Sequence, residues 1–339
     1  MHADAGFQSP REEHPFAPYV RILGKGKTGS RSLTEVEAQE AFGMILRGEI
    51  DPVQLGAFLM LLRVKEESPE ELAGFVRACR EEMLSPPHDL AADLDWSSYA
   101  GKRHQHPWFL LAVLLLGDAG YRVFLHGADG HTPGRLYTEE AMRQLNLPVA
   151  NDWSDVDMQL DRFRISYLPL RHFCLPLHEM MQLRHLLGLR SPVNTLTRLL
   201  NPLASPCSIQ SVFHPAYADL HQQAEQLLGQ AQALVFKGES GEVELKPHAD
   251  TQMQLLRDST RTSLSMARVL PERPDAVSAP GVEPLRALWR KKHQDEYGRQ
   301  AVLATTAAAL LLLRTGCRPT EARREALSLW ENRDPERLG

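Results

Sequence analysis

The stretch 33–74, LTEVEAQEAFGMILRGEIDPVQLGAFLMLLRVKEESPEELAG, decides how the first quarter of the chain folds. It holds three helix starts in succession. Thr34-x-x-Glu37 is a capping box, in which a hydroxyl and a carboxylate satisfy orphan backbone donors reciprocally. Asp51-Pro52 places an N-cap before a proline at the first helical position, where the missing N–H costs nothing. Ser68-Pro69-Glu70-Glu71 combines both devices. The middle helix, with Leu55, Phe58, Leu59, Leu61 and Leu62, is apolar nearly all round and is expected to be buried. Ser85-Pro86-Pro87 then breaks the pattern. The stretch predicts a small all-helical domain over 19–88, preceded by a loose polar tail over 1–18.

Beyond the break the periodicity changes. Trp108–Gly117 reads as a buried helix, Gly120–Gly127 as a short buried strand ending in a glycine loop, and a helix follows from about Thr138. Leu234–Lys237 is another short strand, ending in Gly238-Glu239-Ser240-Gly241. Helices alternating with short apolar strands predict an α/β unit over 89–339. In such sheets ligands bind beyond the carboxyl ends of the strands, so the loops after Leu125 and Phe236 are where a site belongs.

Composition narrows the function classes. The chain has 339 residues, 43% apolar and 24% charged, with a net charge of −5. That describes an ordinary globular protein. Its four cysteines, Cys79, Cys174, Cys207 and Cys317, form no CxxC pair, which predicts a reducing compartment and no cysteine-built zinc site. The two longest apolar runs, Trp108–Leu116 and Ala301–Leu313, fall short of the ~20 residues that span a bilayer, and the N-terminus lacks an apolar signal segment. A cytoplasmic protein with no membrane partner is expected. Gly26-Lys27-Thr28 is no P-loop, because Arg21 stands where the first glycine is required. No Ser-His-Asp or Cys-His arrangement, and no histidine pair at metal-ligand spacing, can be read. Hence no catalytic residue and no metal ligand set is assigned from spacing.

The helical stretch resembles the N-terminal domain of the anthranilate phosphoribosyltransferase family, a group that also includes the pyrimidine nucleoside phosphorylases. Leu187-Gly188-Leu189-Arg190-Ser191, Asn194 and Asn201-Pro202 are similar, without a gap, to that family's LGIRT…N…GPLTNP segment, and His126-Gly127 stands at its KHGNR motif. The resemblance implies a small helical domain packed on a larger α/β domain with a central mixed sheet and a cleft between them. It also implies that helices from about 172–195 pack onto the helical domain, and that a homodimer forms through that domain.

The family's catalytic motifs are eroded. Its first phosphate loop, Gly-Thr-Gly-Gly-Asp, lets backbone N–H groups approach a pyrophosphate closely. Here Tyr99-Ala100-Gly101-Lys102-Arg103-His104 stands in its place. KHGNR becomes Leu125-His126-Gly127-Ala128-Asp129, a carboxylate for an arginine, and the paired acids that hold magnesium become Val243-Glu244. One carboxylate of two is a poor magnesium site. Arg184 is retained where the family binds the aromatic acid. The resemblance therefore implies a degenerate substrate site of Gly101, His126, Gly127, Asp129, Arg184 and Glu244.

What replaced the motifs is mostly basic. Arg162–Ala218 carries six arginines against the single acid Glu179, whereas Glu66–Asp95 carries nine acids against two arginines. Gly24-Lys25-Gly26-Lys27 and Arg31 form a second basic run without an acid, and Arg290–His293 reads as an exposed helical face. Basic side chains along a groove neutralise phosphates without reading sequence. The chain resembles a branch of the family with the same erosion, whose members look like dimeric DNA and RNA binders. Two functions follow as expectations. One is nucleic-acid binding by a homodimer, without a cofactor, through Lys25, Lys27, Arg31, Lys102, Arg103, Arg171, Arg184, Arg190 and Arg198. The alternative is phosphoribosyl transfer from phosphoribosyl pyrophosphate to anthranilate or a related acceptor, with Mg2+, in which Lys102 and Arg103 grip the phosphate, Arg184 the acceptor and Glu244 a weakly held metal.

Overall fold

In the computed structural model, which describes residues 12–338, a helical bundle leans on a seven-stranded sheet. The bundle comprises α1 (Ala17–Gly24), α2 (Glu35–Leu46), α3 (Pro52–Lys65) and α4 (Pro69–Glu82). The α/β part follows as β1 (Leu94–Ser98), α5 (Phe109–Asp118), β2 (Val123–Gly127), α6 (Thr138–Gln144), α7 (Trp153–Phe163) and β3 (Ile165–Pro169). Three short helices, α8 (Leu175–Gln182), α9 (Arg184–Leu187) and α10 (Val193–Leu196), return to the bundle. The chain then completes the sheet with β4 (Cys207–Val212), α11 (Ala216–Leu227), β5 (Gln232–Lys237), β6 (Thr251–Arg257) and β7 (Thr260–Met266). It closes with α12 (Glu283–Trp289), α13 (Glu296–Leu313) and α14 (Pro319–Asn332).

All three punctuating motifs form their caps. Glu37 N donates to Thr34 Oγ1 at 3.2 Å while Thr34 N donates to the Glu37 carboxylate at 2.8 Å. The Ser68–Glu71 pair repeats this geometry, and Asp51 takes the Val53 N–H at 2.8 Å. Glu71, fully buried, accepts further bonds from Leu33 N and Lys65 Nζ, so one carboxylate ties the start of α4 to the entry of α2 and the end of α3. Between α2 and α4 the backbones nearly touch. A Cβ on Gly74 would lie 2.3 Å from the Glu35 carbonyl oxygen and 2.7 Å from the Ala38 Cβ.

Two expectations for this bundle need correction. α3 is not buried all round: Phe58, Leu59 and Leu62 are, but Val53 and Val64 are 79% and 85% exposed. Its apolar residues outnumber those that one bundle face can cover. The expected loose tail does not reach residue 18. Residues 1–11 lie outside the described residues, but Phe16 is fully buried, its ring edge-on to Phe58 at 5.3 Å between centroids, and α1 begins at Ala17.

The sheet runs β3-β2-β1-β4-β5-β6-β7; the first five strands are parallel, and β6 and β7 are antiparallel. Side-chain alternation gives its two faces different chemistry. Leu94, Trp96, Val123, Leu125, Ile209, Leu234 and Phe236 join α5 and α13 in one apolar core. The opposite face carries buried Asp95, His126, Ser208 and Gln210, with His221 and Glu225 of α11 beside them. A second apolar core joins the helical bundle to α7, α8 and α10, so the bundle and the sheet share buried surface. The Arg290–His293 cluster lies not on a helical face but in the turn that follows α12, with Arg290 paired to Glu336. Among the described residues no helix is long and apolar enough to cross a membrane.

Gly74→Ala forces α2 and α4 apart, because the clash is with backbone. Overpacking of this kind costs about 1–3 kcal/mol. Urea unfolding should show that loss, and an unchanged midpoint would contradict the close approach.

Candidate functional site

The carboxyl ends of β1, β2, β4 and β5 place four loops together. A short antiparallel bridge between Lys102 and Leu136 clips the loop after β1 to the one after β2. Gly127 ends β2 where the strands crowd: a Cβ there would lie 2.1 Å from the Ser98 carbonyl oxygen, so only glycine fits. Gly101 has a φ of 69°, a conformation that glycine adopts without strain.

Carboxylates from the segment after β5 enter the loop after β1. The N–H groups of Ala100 and Gly101 both donate to Glu242 Oε1, at 2.7 and 2.5 Å, and Ser98 Oγ donates to Glu242 Oε2 at 2.7 Å. Two residues on, Glu244 accepts from Lys102 Nζ at 2.5 Å and from Phe109 N at 2.9 Å, and both members of this ion pair are buried. Burial pushes the Glu244 carboxyl up to about 7, against the pull of Lys102. This corrects two expectations. Lys102 is turned away from solvent into its pair with Glu244, and the Glu244 carboxylate is taken up by Lys102 and Phe109 N. With Glu244 committed to Lys102 and Val243 apolar, the residues present do not fit a magnesium ion. Glu242 escapes a reading based on spacing, because the family-like acids are sought at 243–244. Its one sequence signal is the Gly238-x-x-Gly241 turn immediately before it.

His126 is also closed off. Tyr99 Oη lies 2.6 Å from its Nδ1 and the Asp95 carboxylate 3.3 Å from its Nε2, and all three side chains are buried. His131 points its Nε2 at the Tyr99 carbonyl, 2.8 Å away. Burial, with Arg190, Arg198 and Arg184 nearby, pushes it down to about 4. Asp129 is half exposed and lies 3.9 Å from Arg171.

The nine expected nucleic-acid contacts divide. Arg31 makes a bidentate pair with Glu37, and Arg171 another with Glu139 at 2.7 Å for each bond. Arg198 is buried, donating to the carbonyls of Ser211 at 2.6 Å and Gly241 at 2.9 Å. Lys102 and Arg198 are thus consumed inside the fold, and Arg171 and, at the surface, Arg31 are held by carboxylates, because sequence shows a cation but not its partner. Lys25, Lys27 and Arg103 are exposed. Arg184 and Arg190 converge on Thr132 Oγ1, at 2.5 and 3.3 Å, half-buried at the cleft between bundle and sheet.

A recess opens there, lined by Arg63, Arg190, Asn194, Arg198, Phe213 and Tyr217 among others, and no carboxylate lines it. Burial, together with Arg135, Arg184 and Arg198, pushes the Arg190 guanidinium down to about 10. Crowded guanidiniums without a facing carboxylate attract an anion. Arg135 was not among the expected contacts. It joins the cluster through bonds to the carbonyls of Ala100, Gly101 and Ser240.

Residues 18–83 match the model of the glycosyl transferase family helical bundle domain, and residues 112–331 that of the glycosyl transferase family a/b domain. The chain therefore belongs to this two-domain glycosyl transferase family. Among its relatives, the YbiB protein of Escherichia coli K12 is 29% identical over 241 residues, 70% of this chain and 75% of its own. The anthranilate phosphoribosyltransferase of Symbiobacterium thermophilum is 27% identical over 303 residues, 86% of each chain. The structure of the anthranilate phosphoribosyltransferase from Saccharomyces cerevisiae in complex with PRPP and Mg covers 96% of each chain with a TM-score of 0.78; at 18% identity it establishes the shared fold alone.

Removing one partner of a buried ion pair costs about 3–5 kcal/mol, because the other charge is stranded. Lys102→Met and Glu244→Gln should each lose stability of that order in chemical denaturation. The double variant, which keeps an acceptor for Phe109 N, should recover most of it. Additive losses would contradict the pairing.

Proposed function

We propose that this chain binds a phosphate-bearing ligand of the phosphoribosyl class in the cleft, holding it by arginine side chains. The supporting observation is the recess lined by Arg63, Arg190 and Arg198, which no carboxylate lines, with Arg184 beside it. Its anthranilate phosphoribosyltransferase relatives favour phosphoribosyl recognition over other anions. In this reading Arg63 and Arg190 attract the phosphate, and Arg184, beside the recess, takes an acidic acceptor. The reaction those relatives are named for would need more than this. Lys102 and Glu244 are consumed by each other, so neither the side-chain grip on a diphosphate nor a magnesium carboxylate is available. Binding without efficient transfer to anthranilate is the outcome proposed.

Calorimetry with phosphoribosyl pyrophosphate tests this. Saturable heat should appear, persist when magnesium is chelated, and weaken at least ~10-fold in Arg190→Ala, a loss of about 1.4 kcal/mol. Anthranilate consumption should stay at background. No heat in the wild type would end the reading, and brisk turnover would show that the transfer machinery is intact.

A specific observation favours a second reading, sequence-independent DNA or RNA binding by a homodimer. Lys25, Lys27 and Arg103 are exposed and make no ion pair among the described residues. An apolar groove formed by Ile45, Ile50, Leu55, Met180 and Leu183, continuous with the exposed side of α3, suits a second copy of the chain. Fluorescence anisotropy over a salt series discriminates, since phosphate neutralisation makes affinity fall steeply with salt. Lys25→Glu with Lys27→Glu should weaken binding to all sequences alike while leaving phosphoribosyl pyrophosphate heats unchanged. Salt-independent binding, or a monomer by light scattering, would contradict this reading.

A further inference from the structure

The bonds around Glu242 are those of a bound anion. Two successive N–H groups, of Ala100 and Gly101, converge on one carboxylate oxygen, and a hydroxyl, Ser98 Oγ, meets the other. Ser98 Oγ is itself 2.5 Å from Thr138 Oγ1, so a further hydroxyl stands behind it. Successive backbone N–H groups in a turn form a concavity that favours anions. Gly101 is in the left-handed region, and a Cβ there would press on Arg135 and Tyr137 at 3.1 Å.

The surroundings of this concavity are cationic. Arg135 donates to the carbonyls of Ala100, Gly101 and Ser240, and Arg198 to those of Ser211 and Gly241. Neither guanidinium makes an ion pair among the described residues, and the Glu242 carboxylate acts electrostatically on both. Its removal would leave two N–H donors without an acceptor, and a buried cation, Arg198, and a half-buried one, Arg135, without a counter-charge. The turn before Glu242 is shaped to deliver it. Ser240 and Gly241 have φ values of 57° and 87°, and a Cβ on Gly238 would lie 1.8 Å from the Glu242 carbonyl oxygen.

We propose that Glu242 is a built-in occupant of an oxyanion cradle, standing in for the phosphate oxygens that the Ala100 and Gly101 N–H groups would otherwise bind. Glu242 thereby excludes diphosphates from the loop after β1. The cradle is distinct from the arginine-lined recess, and the proposal does not depend on whether that recess binds a ligand.

Inorganic pyrophosphate is the probe, added to the full-length chain in calorimetry at constant ionic strength. Glu242→Ala should bind one more pyrophosphate per chain than the wild type does, whatever the wild-type number is. It should melt below the wild type in chloride and regain the difference saturably as pyrophosphate is added. Equal stoichiometry in the two proteins, with no recovery of the melting temperature, would overturn the proposal. If Glu242→Ala is insoluble, refolding decides. A yield raised by pyrophosphate above that in chloride of equal ionic strength, with no such gain for the wild type, supports the cradle. An equal yield in the two salts overturns it.

Discussion

The carboxylate of Glu242, held by the N–H groups of Ala100 and Gly101, is the contact on which the loops at the carboxyl end of the sheet depend. It fixes the loop after β1 against the turn after β5. Arg135 then caps the outward-facing carbonyls of both segments, and the Lys102–Leu136 bridge carries the loop after β2 into the same assembly. Two residues later Glu244 neutralises Lys102 and takes the first N–H of α5. The donors and charges at this end of the sheet are satisfied by the chain's own groups. Buried polar groups are stabilised by partners, and most of those here find them within the fold.

The changes that look like separate losses along the chain therefore compensate one another. Lys102 enters the loop after β1, and Glu244 pairs with it. A carboxylate arises at position 242 and fills the donors of that loop. Arg198 is seated on the carbonyls of Ser211 in β4 and Gly241 in the turn after β5, close to that carboxylate. The positive charges left over, on Arg63, Arg184 and Arg190, face the cleft between bundle and sheet. In the function proposed, an anion is met by these guanidinium side chains rather than by backbone N–H groups.

Local punctuation made much of the fold legible. The caps at Thr34, Asp51 and Ser68, the apolar runs of α5 and α13, and the short strands at 123–127 and 232–237 each follow from rules that operate within a few residues. Long-range pairing was not legible. Nothing near Arg171 indicates Glu139, and nothing near Arg31 distinguishes a solvated cation from one held by Glu37 until the turn brings them together. α3 misleads for the converse reason. Its apolar composition records surface that one chain does not cover, and Val53 and Val64 remain exposed. In the candidate site, Arg184 and Arg190 lie at the cleft that the resemblance implied, while Glu242 was hidden by its offset of one residue from the acids being sought.

A crystal structure of the wild-type protein grown with phosphoribosyl pyrophosphate and magnesium tests the central claim most directly. The ligand phosphate should lie against Arg190, with Glu242 still bonded to Ala100 and Gly101. A diphosphate on those two N–H groups, with Glu242 displaced from the cradle, would contradict the account.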